Sequence, residues 1–275
     1  MTSGRAGKPL RSIELRSLLY DEVIALWKQK LSYNRIIAEI QAKHGIKLSK
    51  SDISNWLAGI HLPTGSARII DLSPSSELAY LIGVKMGDAS QSLNKSYSHK
   101  INLRAIDKDF VDEFARCLSI VLRRSLPPVR WVVSRQFWRT EASSVFLRHF
   151  LMQPFAKLKP FIEHSDACSS AFLKGFFDSE AGVSGRSLIV SNGNHEVLSY
   201  VKTLLDSFGI ETTGPHLASK GGHLVLIKGK FYRQNKDMHY LYIRTNSLNR
   251  FREKVDFSLQ RKAEALNFAC NLRLD

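Results

Sequence analysis

Apolar residues recur at helical spacing through the first quarter of the chain. From residue 21 to 62 they outline a compact helical unit, in which Ile24, Leu26 and Trp27 fall where a first helix would face a core. Ile36, Ile37 and Ile40 mark a second helix between Ser32 and Gly45, the latter placed as a left-handed stop. A third helix starts after Ser49, turns Ile53, Trp56 and Leu57 inward and stops at Gly59. Residues 61–76, "HLPTGSARIIDLSPSS", are rich in Pro, Gly and Ser and read as a linker.

Beyond the linker the pattern repeats itself. The helix "SELAYLIGVKMGD" leads through the alternating stretch "KSYSHKINLRAI" to the helix "DKDFVDEFARCLSIVL", then to "PVRWVVSRQFWRTEA", read as two strands or a bent hairpin. Two short helical stretches follow, "SSVFLRHFLM" and "PFAKLKPFIEH". The second copy runs from the helix "SSAFLKGFFDSE" to the strand "RSLIVSN", the helix "NHEVLSYVKTLLDSFG" and the strands "HLVLIKGKFYR" and "MHYLYIRTN". Two helices with a break near Asp256 and Phe257 close it. Each half is α-β-β-α-β-β-α in outline, so the fold class is α+β: two pseudo-symmetric halves preceded by a small all-helical domain. The boundaries fall at 1–70 for that domain and its linker, 71–166 for the first repeat and 167–275 for the second.

Composition adds a partner to this picture. Lys and Arg total 40 against 25 Asp and Glu, a formal net charge of +15, which favours a polyanion such as nucleic acid through steering and counterion release. A basic protein with merely solvated charge is the plain alternative. Hydrophobic residues at 44% allow a substantial core. The three cysteines, Cys117, Cys168 and Cys270, are widely spaced, form no zinc-finger pattern and suit a reducing, intracellular compartment. The first 20 residues lack a signal-peptide core and no later run approaches the roughly 20 apolar residues of a membrane span, so a soluble protein is expected. In this setting the second and third N-terminal helices, joined by the turn around "GIKLS", have the form of a helix-turn-helix, with Lys50, Ser51, Ser54 and Asn55 placed to meet DNA; a small bundle without that role is the alternative.

The chemistry gathers where the repeated helices end. Gly83 precedes Asp88 by the same spacing that separates Gly175 from Glu180. Glycine inside a helix costs about 1 kcal/mol relative to alanine, and close approach of two backbones would account for a matched pair. Ala79, Leu81, Ile82 and Val84 on one helix and Phe172, Leu173 and Phe176 on the other supply an apolar seam. Parallel packing would then bring Asp88 and Glu180 together at the negative ends of two helix dipoles, an arrangement that invites a cation. Two carboxylates with positions left for water and phosphate suit Mg²⁺ and phosphodiester cleavage, whereas two solvated helix-end acids without a metal would be the inert reading.

"LIGVKMGDA" and "LKGFFDSEA" resemble the motif of the LAGLIDADG homing endonucleases, and the chain from about 77 to 275 resembles their single-chain, two-repeat members. Lys85 and Met86 replace the usual middle residues, Lys174 replaces a small one, and Ala89 and Ala181 stand where a terminal glycine is common. The resemblance implies two curved antiparallel sheets forming a saddle in the major groove. On those strands Lys95, Lys100, Asn102, Arg104, Arg130, Arg135 and Arg139 in the first half are candidates for DNA contact, with Arg186, Lys228, Lys230, Arg233 and Arg244 in the second. It further implies a lysine near the cleavage centre: Lys262 in "VDFSLQRKAEAL", with Lys157 or Lys159 as first-half possibilities. The expected function is a monomeric, site-specific double-strand DNA endonuclease, with Mg²⁺ held by Asp88 and Glu180, a long asymmetric target and an intron or intervening-sequence origin. A non-catalytic DNA-binding regulator and an RNA maturase are the alternatives on the same scaffold.

Overall fold

The computed structural model describes residues 13–63, 70–93, 99–222, 224–227 and 229–272. The chain divides into two compact units, with the division after residue 69.

In the first unit, helices α1 (Ile13–Lys28), α2 (Tyr33–His44) and α3 (Lys50–Leu57) enclose Leu19, Val23, Ile36, Ile40, Leu48, Ile53 and Trp56. Gly45 closes α2 at φ 67°. Ser49 opens α3 with a reciprocal capping box: its hydroxyl accepts from the Asp52 N–H at 3.0 Å while its own N–H donates to the Asp52 carboxylate at 3.1 Å. The first helix departs from expectation. It begins upstream of residue 21, and Leu19, Val23 and Leu26 form its inward stripe, which turns Trp27 outward, 45% exposed against the Tyr33 ring.

The second unit opens with α4 (Ser76–Met86), β1 (Ser90–Leu93), β2 (His99–Ala105) and α5 (Lys108–Val121). The first half continues through β3 (Arg130–Val132), a 3-10 turn, β4 (Phe137–Ser143), α6 (Val145–Leu151) and α7 (Phe155–Ile162). The second half comprises α8 (Asp166–Glu180), β5 (Ala181–Ser184), β6 (Ser187–Asn192), α9 (His195–Ser207) and β7 (Thr212–Ser219). It ends with β8 (Leu224–Ile227), β9 (Lys230–Arg233), β10 (Met238–Ile243), α10 (Leu248–Lys254) and α11 (Gln260–Asn271). The sheets run β1-β2-β4-β3 and β5-β6-β10-β7, the same spatial order in each half, with every pair antiparallel.

Sequence pattern located the helices better than the strands. β1 and β5 follow directly on the motif acids and are too short for alternation to reveal them. β7 contains Gly214 and Pro215, which read as strand breakers, yet it pairs along β10 with a register shift at that point. "HLVLIKGKFYR", expected as a strand of the main sheet, instead forms the separate hairpin β8–β9, turning at Gly229. No helix among the described residues is long and apolar enough to cross a membrane.

At the centre α4 and α8 pack side by side. Leu78 to Val84 are buried throughout on α4, as are Phe172, Leu173, Phe176 and Phe177 on α8, within one core that spans both halves. A Cβ on Gly175 would stand 2.5 Å from the Tyr80 carbonyl oxygen, and one on Gly83 2.8 Å from the Phe176 nitrogen and closer still to the Phe172 oxygen. These separations are too short for any side chain, so both glycines mark points of backbone contact.

Candidate active site and nucleic-acid interface

The contacts between α4 and α8 climb both helices together, from Tyr80 against Gly175 to Gly87 against Glu180, so the helices are parallel and their carboxyl ends coincide. Glu180 is the last residue of α8, while Asp88 stands beyond the end of α4 in the turn made by Gly87. Gly87 is the third close approach, and the sequence motif did not single it out: a Cβ there would lie 2.8 Å from Glu180 Oε1.

The two acids feel each other. Burial, and after it the negative charge of Asp88, pushes the Glu180 carboxyl up to about 7, with a hydrogen bond from Asn192 and the Lys262 ammonium pulling the other way. Asp88 keeps an open side toward solvent, yet the protein around it still raises its carboxyl by desolvation, with Lys262 opposing. Burial thus makes both carboxyls easier to protonate than free acids, and a bound cation would favour their ionised forms. Among the described residues no group of three or more His, Cys, Asp and Glu side chains gathers around one point. Asp88 and Glu180 are the two hard carboxylates here that could hold a divalent cation, and a donor set of two carboxylates completed by water and phosphate would suit Mg²⁺.

Lys262 is buried at the carboxyl end of α8, where its ammonium donates to the main-chain oxygens of Phe177 at 3.0 Å and Asp178 at 2.6 Å. It also lies 5.6 Å from the Phe257 ring centroid. Burial lowers its pKa, while the charges of Asp178 and Asp88 work to keep it protonated. An ammonium so placed neutralises the negative end of the α8 dipole. The first-half lysines are placed differently: Lys157 is exposed, and Lys159 lies over the rings of Phe155 and Tyr200, 4.0 Å from Glu196.

Further residues at this site escaped the sequence reading. Buried Asp178 accepts from the Tyr80 hydroxyl at 2.9 Å and the Ser258 N–H at 3.0 Å, and burial pushes its carboxyl up to about 6. The Asn192 side-chain amide donates to the Met86 oxygen at 3.3 Å, so α4 ends on an amide where α8 ends on an ammonium. Asp178 carried a signal, an acid on the inward stripe of an apolar helix; Asn192, at the end of a strand, carried none.

Strand register sorts the expected DNA contacts. Ile101 and Leu103 of β2 face the core, which sends Lys100, Asn102 and Arg104 to the opposite face. Arg104 pairs with Arg139 and Arg139 with Arg130, so three arginines share one cross-strand row over β2, β4 and β3. Lys100 and Arg139 are both ion-paired with Glu141, the former at 2.6 Å. Asn102 is closed off from solvent, 2% exposed, rather than open. Arg135 is exposed in the 3-10 turn. In the second sheet Leu188, Val190, Leu241 and Ile243 face the core, and the opposite face carries Tyr240 and Tyr242 beside Ser191 and Ile189. The charged candidates of this half sit at strand ends: Arg186 in the β5–β6 turn, Arg233 at the end of β9, and Arg244, paired with Glu211 at 3.3 Å, after β10. Lys95 and Lys228 lie outside the described residues, as does the side chain of Lys230. In the first unit Lys50, Ser51 and Ser54 are exposed along α3 and Asn55 is half-buried.

Comparison with known proteins agrees with this architecture. A family model for the LAGLIDADG-like domain matches residues 167–256. The uncharacterized protein MJ0398 of Methanocaldococcus jannaschii is 35% identical over 264 residues, spanning 92% of this chain and 96% of its own. The uncharacterized protein MJ0314 of the same organism is 29% identical over 153 residues, spanning 52% of this chain and 58% of its own. A crystal structure of I-DmoI in complex with DNA and Ca aligns with a TM-score of 0.50 at 17% identity, covering 70% of this chain and 97% of that one. Variants of the homing endonuclease I-DmoI align equally well, with a TM-score of 0.50. With its doubled helix-and-sheet halves and the two motif helices packed glycine to backbone, the chain belongs to the LAGLIDADG family.

Proposed function

We propose that the chain is a site-specific double-strand DNA endonuclease, monomeric, with a divalent metal, Mg²⁺ by its oxygen donors, held by Asp88 and Glu180. The observation that carries this reading is the crossing at Gly87, which leaves a burial-raised acid pair at the joined ends of α4 and α8. That the homing endonuclease I-DmoI, which shares the fold, has been crystallised with DNA and Ca supports it.

When bound, such a cation supplies Lewis-acid polarisation of the phosphate and a water of lowered pKa. The chain's own residues do the rest. Asp88 and Glu180 ionise to hold the cation, and Lys262 offsets negative charge beside them. The arginine row across β2, β4 and β3 neutralises backbone phosphate, and the tyrosine-bearing second face offers aromatic and hydroxyl contacts instead. Two unequal faces suit a long asymmetric target. The α2–α3 pair of the first unit serves as a helix-turn-helix on DNA, with Lys50, Ser51, Ser54 and Asn55 at the surface of contact. An intron or intervening-sequence origin follows the family pattern.

The test is incubation of the purified protein with a library of long duplexes, including the sequence flanking its own coding region, in Mg²⁺. Sequence-dependent double-strand cuts are expected from the wild type, with Asp88→Asn and Glu180→Gln binding but not cutting. Tight duplex binding without any cut overturns the nuclease reading and leaves a regulator or an RNA maturase.

A further inference from the structure

Two carboxylates at the start of α5 reach across to the start of α11. Asp107 occupies the N-cap of α5, a position where aspartate ordinarily accepts from the helix's first N–H groups, yet its side chain makes no such bond. It is instead paired with Arg261, at 3.2 Å from Nε and 2.9 Å from Nη2. Asp109, in the first turn of α5, accepts from the N–H of Gln260 at 2.5 Å through one oxygen, while the other takes the adjacent Phe110 N–H. Gln260 is the first residue of α11, and that helix has no side-chain cap of its own, since its N-cap is Leu259. The start of α11 is thus capped from the other half of the molecule. Arg261, a cation at the positive end of a helix dipole, needs the Asp107 carboxylate for the same electrostatic reason.

The next residue is Lys262. Counting Asp178, which accepts from Ser258, the segment leading into Lys262 is tied by two main-chain N–H groups and the Arg261 side chain to carboxylates from α8 and from the start of α5. Asp107 is withdrawn from its own helix to do this, while Asp109 serves both helices, one oxygen on the Phe110 N–H and the other on the Gln260 N–H. We propose that Asp107 and Asp109 are positioning residues which hold the first turn of α11, and so fix the Lys262 ammonium at the carboxyl end of α8. The proposal rests on the nuclease reading for its consequence in catalysis, and on geometry alone for the clamp.

Two measurements separate these. Hydrogen exchange on the full chain should show faster exchange of the Ser258–Lys262 amides in Asp109→Ala, with α4 and α8 unchanged. Single-turnover cleavage of bound duplex should fall about tenfold or more, as expected when a reacting group is displaced by an ångström or less, with Kd for DNA held within about twofold. Asp109→Asn, which keeps an acceptor oxygen, should restore most of the rate, a rescue that a bulk loss of stability would not show. If Asp109→Ala fails to fold, Arg261→Gln replaces it, a surface change that releases Asp107 without emptying the core and should give a smaller effect of the same kind. Unchanged exchange at Ser258–Lys262 overturns the clamp, and faster exchange with an unchanged rate overturns its role in positioning. Should the wild type cut no duplex, the nuclease reading fails while the exchange result still decides the clamp.

Discussion

The backbone of Gly83 runs against that of Phe172, so closely that a Cβ on residue 83 would overlap the Phe172 carbonyl oxygen. This contact fixes how far α4 and α8 can approach, and through Gly87 it fixes where the two acids meet.

Gly83→Ala should therefore destabilise the protein even though alanine is the better helix former. Overpacking costs about 1–3 kcal/mol, more when the obstacle is backbone, and the gain in helix propensity returns about 1. A net loss of about 1–2 kcal/mol is expected in urea unfolding, and a larger one for Gly83→Val. Gly182, where a Cβ would meet nothing within 4 Å, is the control: Gly182→Ala should leave the midpoint nearly unchanged. Equal midpoints for Gly83→Ala and Gly182→Ala would show that the helices are not in backbone contact.

The acid pair sets a pH dependence whose sign follows from the raised pKa of Glu180. Its carboxyl titrates near 4.5 when unfolded and about 7 in the fold, so the protonated form is the one the fold favours. The stability this contributes is complete below about pH 4.5 and is lost as pH rises through about 7. In chelator, Glu180→Gln should match the wild type near pH 4 and exceed it at about pH 8, by roughly 1–3 kcal/mol. Thermal melts across that range check the sign; a variant less stable than wild type at high pH contradicts it. Because the proton competes with the cation, Mg²⁺ affinity of the wild type should rise steeply across the same interval.

These acids were legible in the sequence because glycine and carboxylate repeat in one register, and shared register is information that a single motif lacks. The helix pair followed from the same two stretches. Partners made across the fold were hidden: Asn192 lies on a strand remote in sequence from Met86, and nothing local to Asp107 points to its pairing with Arg261, far along the chain. Lys262 was reached through family resemblance, but its bonds to the Phe177 and Asp178 oxygens belong to tertiary structure. β7 was lost to its glycine and proline, since a local breaker rule cannot anticipate a strand held by its neighbour along β10.

The arginine row gives the first-half sheet an electrostatic signature. Each side chain that neutralises a phosphate contributes about 0.9 to the slope of log K against log salt. Replacing Arg104, Arg130 and Arg139 together by alanine should reduce that slope by roughly 2–3. Replacing Tyr240 and Tyr242 by phenylalanine should leave the slope unchanged and alter preference among sequences, because a lost hydroxyl removes a hydrogen bond and no charge. Slopes measured by fluorescence anisotropy on one duplex decide the matter, and an unaltered slope in the triple variant removes this face from the DNA interface.

The first unit has its own core around Leu19, Val23, Ile36, Ile40 and Trp56 and its own capping box at Ser49, so its removal tests a separable role. A chain starting at residue 70 should unfold cooperatively with the melting behaviour of the larger unit, because that unit's core is contained within it. Its single-turnover cleavage rate on saturating duplex should equal that of the full chain, since Asp88, Glu180 and Lys262 are all retained. Its affinity should fall and its salt slope flatten, because Lys50 and the other basic side chains of the removed segment no longer reach phosphate. Within the full chain, Ser49→Ala should cost about 1 kcal/mol of stability in the first unit through loss of the cap, and weaken binding by the fraction of that unit left unfolded. Equal affinity and equal slope for the truncated and full chains would leave the small helical unit without a part in DNA recognition.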